Sequence, residues 1–269
     1  MVPKPLPQYP KRYTLQSVVV ELGAAKPGKP PATLGRAIHA QVLEWFNLGN
    51  REVAASLHAA QTPPLSLSGL LGHRRRRGTQ PGDKFLIRIS LLNGSLLEPL
   101  LTGIQAAEHQ PVVLGKFPFK IRNYFAFPGT HRLAGATDYE SLAQSPPLSD
   151  IQLDFLSPTS FKQKQNIQPF PLPDLVFGSL QRRWNSFAPE NLHFPAFEWQ
   201  GFVSAYDLKT QALRLEGGAE IGAQGWVRYR FRDSEQAKVA AILAYFAFFA
   251  GVGRKTTMGM GQTQLKICE

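Results

Sequence analysis

Apolar and polar positions alternate, or recur at helical spacing, in an ordered series along the chain. YTLQSVVVELGA (13–24) has a β-branched centre and reads as a strand. LGRAIHAQVLEWFNLG follows, with Leu34, Ile38, Val42 and Trp45 or Phe46 on one helical face and Thr33 placed to cap it. Asn50 is placed to cap a second helix, REVAASLHAAQ, which stops before Pro63 and Pro64. LSLSGLL reads as a strand and HRRRRGTQPGD as a basic turn. KFLIRISLL (84–92) alternates, with Phe85, Ile87 and Ile89 on one face and Lys84, Leu86, Arg88 and Ser90 on the other. SLLEPLLTGIQAAEH reads as a helix shortened by Pro99, and PVVLGKFPFKIRNYF as a returning strand.

The second half repeats the order. DIQLDFLSPTSF is a strand, PLPDLVFGSLQRRWNSF a helix opened by prolines, and FPAFEWQGFVSAYDLKTQ a strand. In GAEIGAQGWVRYRFR, Trp226, Arg228, Arg230 and Arg232 alternate with Val227, Tyr229 and Phe231. SEQAKVAAILAYFAFF then reads as a long helix and TQLKI as a closing strand. Each half is β-α-β-β-α-β, the first with a doubled helix. The fold class is therefore α+β, a tandem pair of ferredoxin-like (RRM-like) βαββαβ domains. A Gly-, Ser- and Pro-rich link within residues 125–150 separates them, giving domains of 1–130 and 131–269.

Charge narrows the partner. The 269 residues carry 30 Lys+Arg against 19 Asp+Glu, a net +11, which favours a polyanion. The one cysteine, Cys268, excludes an intramolecular disulfide and fits a reducing compartment. The start MVPKPLPQYPKRYTL lacks the apolar segment of a signal peptide, and AAILAYFAFFAGVG falls short of the ~20 apolar residues of a membrane span. A cytoplasmic protein without a membrane partner is expected. The histidines are scattered and give no zinc-ligand spacing, so no metal or cofactor is expected.

The densest chemical signal is GVGRKTTMGMG (251–261). It is neither a P-loop nor a dinucleotide fingerprint: the order is helix, glycine loop, strand, the reverse of both. One glycine suffices for a helix-to-strand turn. Gly251, Gly253, Gly259 and Gly261 together imply a backbone that something approaches closely, with Arg254 and Lys255 adding charge and successive N–H groups offering an anion nest. The competing reading is a compact turn packed on the first domain. Arg74, Arg75, Arg76 and Arg77 form a second basic cluster, and Arg228, Arg230 and Arg232 a third; each reads either as phosphate contacts or as a solvated face. His39 and His58 lie on the two consecutive helices of the first domain. A histidine beside arginines and lysines suits RNA cleavage through the 2′-hydroxyl. That reaction needs one proton acceptor, one donor and nearby cations, and no metal.

With these pieces in hand, the chain resembles the CRISPR-associated endoribonucleases that cut repeat RNA into guide units (CRISPR-associated protein six). GVGRKTTMGMG resembles that family's loop of form G-x-G-x-K-x-x-x-G-x-G. GRAIHAQVLEW resembles its first helix, ASLHAAQTPPLSLSGL its Leu-His segment, and FLSPTSF a Ser-Pro-Thr-x-Phe stretch opening the second domain. The resemblance implies metal-independent cleavage of the CRISPR repeat, leaving a 5′-hydroxyl and a 2′,3′-cyclic phosphate. It implies a catalytic histidine in the helical part of the first domain: His58 matches the Leu-His pair and His39 the first-helix histidine, and the choice between them stays open. Arg254 and Lys255 carry over as RNA-binding. The alternative is a non-catalytic repeat RNA-binding or scaffold protein of an effector complex. Effector subunits as partners and a homodimer are both compatible with the sequence. An unrelated RRM is disfavoured, because WVRYRF lacks the glycines of the RRM motif.

Overall fold

A computed structural model describes residues 13–73, 75–215 and 218–266, with the side chains of residues 214 and 215 left aside. In chain order the elements are β1 (Leu15–Ala24), α1 (Gly35–Gly49), α2 (Arg51–Ala59), β2 (Leu65–Leu67), β3 (Lys84–Leu91), α3 (Leu97–Ala106), β4 (Val112–Leu114) and β5 (Phe117–Phe125). Then come β6 (Gly135–Thr137), α4 (Tyr139–Ala143), β7 (Ile151–Thr159), β8 (Phe161–Gln163), β9 (Asn166–Gln168), α5 (Pro173–Phe187), β10 (Phe202–Leu215), β11 (Gly218–Arg230), α6 (Ser234–Ala250) and β12 (Thr263–Lys266).

Two main sheets result. The first runs β2-β3-β1-β5-β4, with β6 also pairing β1; the second runs β10-β11-β7-β12. β1 lies between β3 and β5 in the first sheet and β7 between β11 and β12 in the second, the same central position in each, and every pairing between these strands is antiparallel. The two halves are thus tandem ferredoxin-like units.

Each unit has its own core. Val18, Val20, Leu22, Phe85, Ile87 and Ile89 face Ile38, Val42, Trp45 and Phe46 of α1 and Leu100, Leu101 and Ile104 of α3. In the second, Ile151, Leu153, Phe155, Val227 and Tyr229 face Val176, Phe177, Leu180 and Trp184 of α5 and most of α6.

The helix α6 explains the longest apolar run in the sequence. An amphipathic helix has one wet face, whereas Val239, Ala240, Ala241, Ile242, Leu243, Ala244, Phe246, Ala247, Phe249 and Ala250 are all buried. One side packs in the second core. The other meets the back of the first sheet, where the Arg88 guanidinium lies 3.9 Å from the centre of the Phe248 ring and Ser66 Oγ donates to the Phe249 carbonyl (2.7 Å). A helix covered on both sides is apolar all round. The same contact buries the second face of β3: Arg88 is 1% exposed and Ser90 fully enclosed, both near Ser17.

Local details follow the sequence with three corrections. In the segment read as a strand over 194–211, residues 194–201 carry no strand and β10 begins only at Phe202. Asn50 Oδ1 accepts from the Glu52 and Val53 N–H groups and starts α2, and Pro173 sits in the first turn of α5. Thr33 does not cap α1. The helix begins one residue later, with Leu34 at the cap position, buried in the first core and making no side-chain cap bond. Residues 111–125 are not one strand but the hairpin β4–β5. Gly115 and Lys116 both take positive φ (55° and 69°), as a two-residue reversal between twisted strands requires.

Candidate active site and nucleic-acid interface

The glycine-rich loop leaves α6 and settles on the first unit. Gly259 pairs with Ser68 beyond β2, and Gln262 Nε2 donates to the Leu67 carbonyl (3.1 Å). A short 3-10 turn, Thr256–Met258, lies over the start of α1, so close that a side chain at Gly35 would strike the Met258 carbonyl. His39 is one helical turn beyond Gly35, on the same face. The turn therefore covers it, with the Thr257 backbone approaching its imidazole.

His39 is half-buried, and its Nδ1 is enclosed without a hydrogen-bond partner. Burial holds its pKa below the ordinary 6.5; the Thr257 backbone opposes the shift, and the nearby charge of His58 adds to it. The neutral imidazole is thereby favoured near pH 7. His58 stands exposed in the last turn of α2, within electrostatic reach of His39. The two histidines and the loop, distant in sequence, are brought together.

Within the loop, Gly253 and Gly259 adopt positive φ (79° and 86°). A Cβ at Gly253 would strike the Ser160 carbonyl, and one at Gly259 would lie 2.9 Å from the Gly69 nitrogen. These close approaches are made by the protein's own backbone. The anion nest is not formed in the first half of the loop: Val252 N–H donates to the Gly261 carbonyl (2.8 Å), Gly253 N–H to Ser179 Oγ (3.1 Å) and Arg254 N–H to the Ser160 carbonyl (3.0 Å). Those N–H groups are satisfied internally because the loop doubles back on itself, on α5 and on the junction of β7 and β8.

The loop cations share one buried carboxylate. Glu220, 6% exposed, accepts from Arg254 Nη1 (3.2 Å), from Lys255 Nζ and from Ser160 Oγ (2.7 Å). A third of the Arg254 and Lys255 side chains stays open to solvent. Glu220 and Ser160 carry no sequence signal for this role beyond Ser160's place in FLSPTSF.

The other arginines are dispersed. Arg74 lies outside the described residues. Arg75 pairs with Asp83 (2.9 Å), while Arg76 and Arg77 are exposed. Arg228 Nη2 donates to Gln152 Oε1 (3.1 Å), its guanidinium 6.0 Å from the centre of the Trp226 ring, and Arg230 forks onto Asp150 (2.6 and 3.2 Å). Arg232 is exposed beyond β11. Arg228 and Arg230 face away from α5 and α6 at the Asp150 end of β7, whereas the glycine loop contacts its Pro158–Ser160 end. At ~3.3 Å per residue the two groups stand roughly 20 Å apart. Among the described residues no cluster of His, Cys, Asp and Glu is placed to hold a metal ion, and no helix is long and apolar enough to cross a membrane.

A family model described as CRISPR-associated endoribonuclease Cas6 matches residues 153–263. The CRISPR-associated endoribonuclease Cas6 of Mycobacterium tuberculosis (strain H37Rv) is 28% identical over 127 residues, 45% of this chain and 40% of that protein, so the match spans well under half of the curated relative. The fold superimposes on a Cas6 product complex from Thermus thermophilus with a TM-score of 0.80, at 27% identity over 94% of this chain and 100% of that one. A second Cas6 product complex is 30% identical over 94% of this chain and 100% of its own, with a TM-score of 0.73.

Proposed function

The chain belongs to the Cas6 family, and we propose that it is an endoribonuclease that cuts CRISPR repeat RNA (precursor crRNA) at the junction of its two units. The observation that carries the reading is the placement of His39. Its half-buried imidazole, held toward the neutral form, lies under the glycine-rich loop and within electrostatic reach of His58. In support, two solved neighbours are product complexes and another, 29% identical, is a substrate mimic complex.

In this reading His39 accepts the proton of the 2′-hydroxyl, and the freed oxygen attacks the adjacent phosphorus. His58 gives a proton to the departing 5′-oxygen. One proton is taken and one returned, leaving a 2′,3′-cyclic phosphate and a 5′-hydroxyl with no metal ion required. Negative charge gathers on the phosphorane oxygens in the transition state, and Lys255 and Arg254 supply the opposing charge through their open portions. Arg76, Arg77, Arg232 and the outer edges of Arg228 and Arg230 hold RNA phosphates away from the cut; phosphate contacts fix register without reading sequence. The N-terminal unit (1–130) thus contributes the histidines and the C-terminal unit (131–269) the loop, with β6 reaching back onto β1 as a clasp.

The test is incubation of the protein in EDTA with end-labelled RNA containing the repeat of its own host, followed by mapping of the ends. A single cut bearing a cyclic phosphate is the expected outcome. Tight binding without a cut makes the protein a repeat-RNA scaffold instead.

A further inference from the structure

Arg183 belongs neither to the histidines nor to the glycine loop, yet it joins their supports. It lies on α5 of the second unit, half-buried, with its Nε fully enclosed and unpartnered. Nη1 donates to Thr256 Oγ1 (3.3 Å) and Nη2 to the Leu65 carbonyl (3.2 Å). Thr256, 4% exposed, opens the 3-10 turn whose next residue, Thr257, meets His39. Leu65 opens β2 of the first sheet. One side chain therefore ties the turn above His39 to the first unit that carries His39.

Enclosing a cation without a carboxylate is costly, and no described carboxylate forms an ion pair with Arg183. Burial draws its pKa down to about 10, opposed by Tyr139, so it remains charged at neutral pH. What an arginine offers here is a rigid planar fork that reaches two acceptors on different elements at once. Lysine, a single ammonium on a flexible stem, does not reproduce that spacing.

We propose that Arg183 is a positioning residue for RNA cleavage: its fork sets the height of the Lys255–Met258 turn over α1, and with it the Thr257–His39 approach. The proposal rests on the reading that His39 drives the cut. It assigns no contact between Arg183 and RNA.

Its test compares wild type with Arg183→Met, Arg183→Lys and Thr256→Val in single-turnover cleavage of repeat RNA in EDTA, at saturating protein and across pH. RNA affinity and melting temperature are measured alongside. Arg183→Met and Thr256→Val are expected to slow the saturated rate by on the order of tenfold, since small displacements at a reacting centre are amplified. RNA affinity stays within about threefold of wild type. The acidic midpoint of the rate profile moves up toward the ordinary histidine value as His39 loses its cover. Arg183→Lys falls between, and the double variant combining Arg183→Met with Thr256→Val is no slower than the worse single one, because both break one linkage. Should Arg183→Met fail to fold, Thr256→Val carries the same comparison. Unchanged rates and midpoints, or slowing accounted for by lost RNA affinity, overturn the proposal. A wild-type protein that does not cut overturns the reading beneath it instead.

Discussion

Replacing Gly259 by alanine tests the seam between the two units, and the structure supplies its own control. Gly259 has φ +86°, and an added Cβ would sit 2.9 Å from the Gly69 nitrogen and 3.1 Å from its Cα. Gly129 has φ +80° with nothing within 4 Å. The left-handed backbone costs an alanine about 1–2 kcal/mol at either position. Only at Gly259 is there a collision, and it is with backbone, which cannot swing aside as a flexible side chain does. Overpacking of this kind costs about 1–3 kcal/mol more. Gly259→Ala therefore loses about 2–5 kcal/mol and Gly129→Ala about 1–2 kcal/mol. At about 2–4 °C per kcal/mol for a chain of this size, thermal melts of the two variants separate clearly. The Gly259 variant also slows RNA cutting, because the displaced turn is the one over His39. Equal melting shifts in the two variants would show instead that the loop yields at Gly69 without cost.

Further outcomes follow from the same geometry. The lowered pKa of His39 means that, below pH 6.5, the unfolded chain binds a proton that the folded chain resists. Stability is thus lost as pH falls through that window, and His39→Asn flattens the loss; urea titrations between about pH 5 and 7.5 that show the same slope in both proteins would contradict it. Arg76→Ala and Arg77→Ala each reduce the salt slope of RNA binding by about 0.7 if they neutralise phosphates of a single strand, whereas an unchanged slope marks a solvated turn. Asn50→Ala removes the acceptor for two N–H groups at the start of α2, costing about 1 kcal/mol in denaturant unfolding while RNA affinity holds.

Local chemistry made much of the fold legible. Strand alternation in KFLIRISLL located one core face, Asn50 marked a helix start, and the prolines of PLPDL marked another. The repeated β-α-β-β-α-β order gave two units of like topology. What stayed hidden depends on contacts between distant segments. Arg88 and Ser90 alternate with core residues as a solvent face would, yet α6 covers them, and nothing in KFLIRISLL announces a second unit behind it. The apolarity of α6 on all sides was the visible half of that contact. Arg254 and Lys255 read as free cations because Glu220, which holds both, belongs to a different strand. The four loop glycines signalled close approach correctly, while the partner at Gly253 and Gly259 is protein backbone. His39 and His58 were legible as a pair on consecutive helices. That the glycine loop covers only His39 became visible from the packing of Met258 on Gly35.

The proposed cut starts with a proton moved by His39, sheltered under the loop. The most direct measurement is the single-turnover cleavage rate of His39→Ala against wild type on the host's repeat RNA, in EDTA and at saturating protein. A loss of about 100-fold or more is expected, as for removal of a general base, with RNA binding nearly unchanged. Cutting by His39→Ala at the wild-type rate would contradict it.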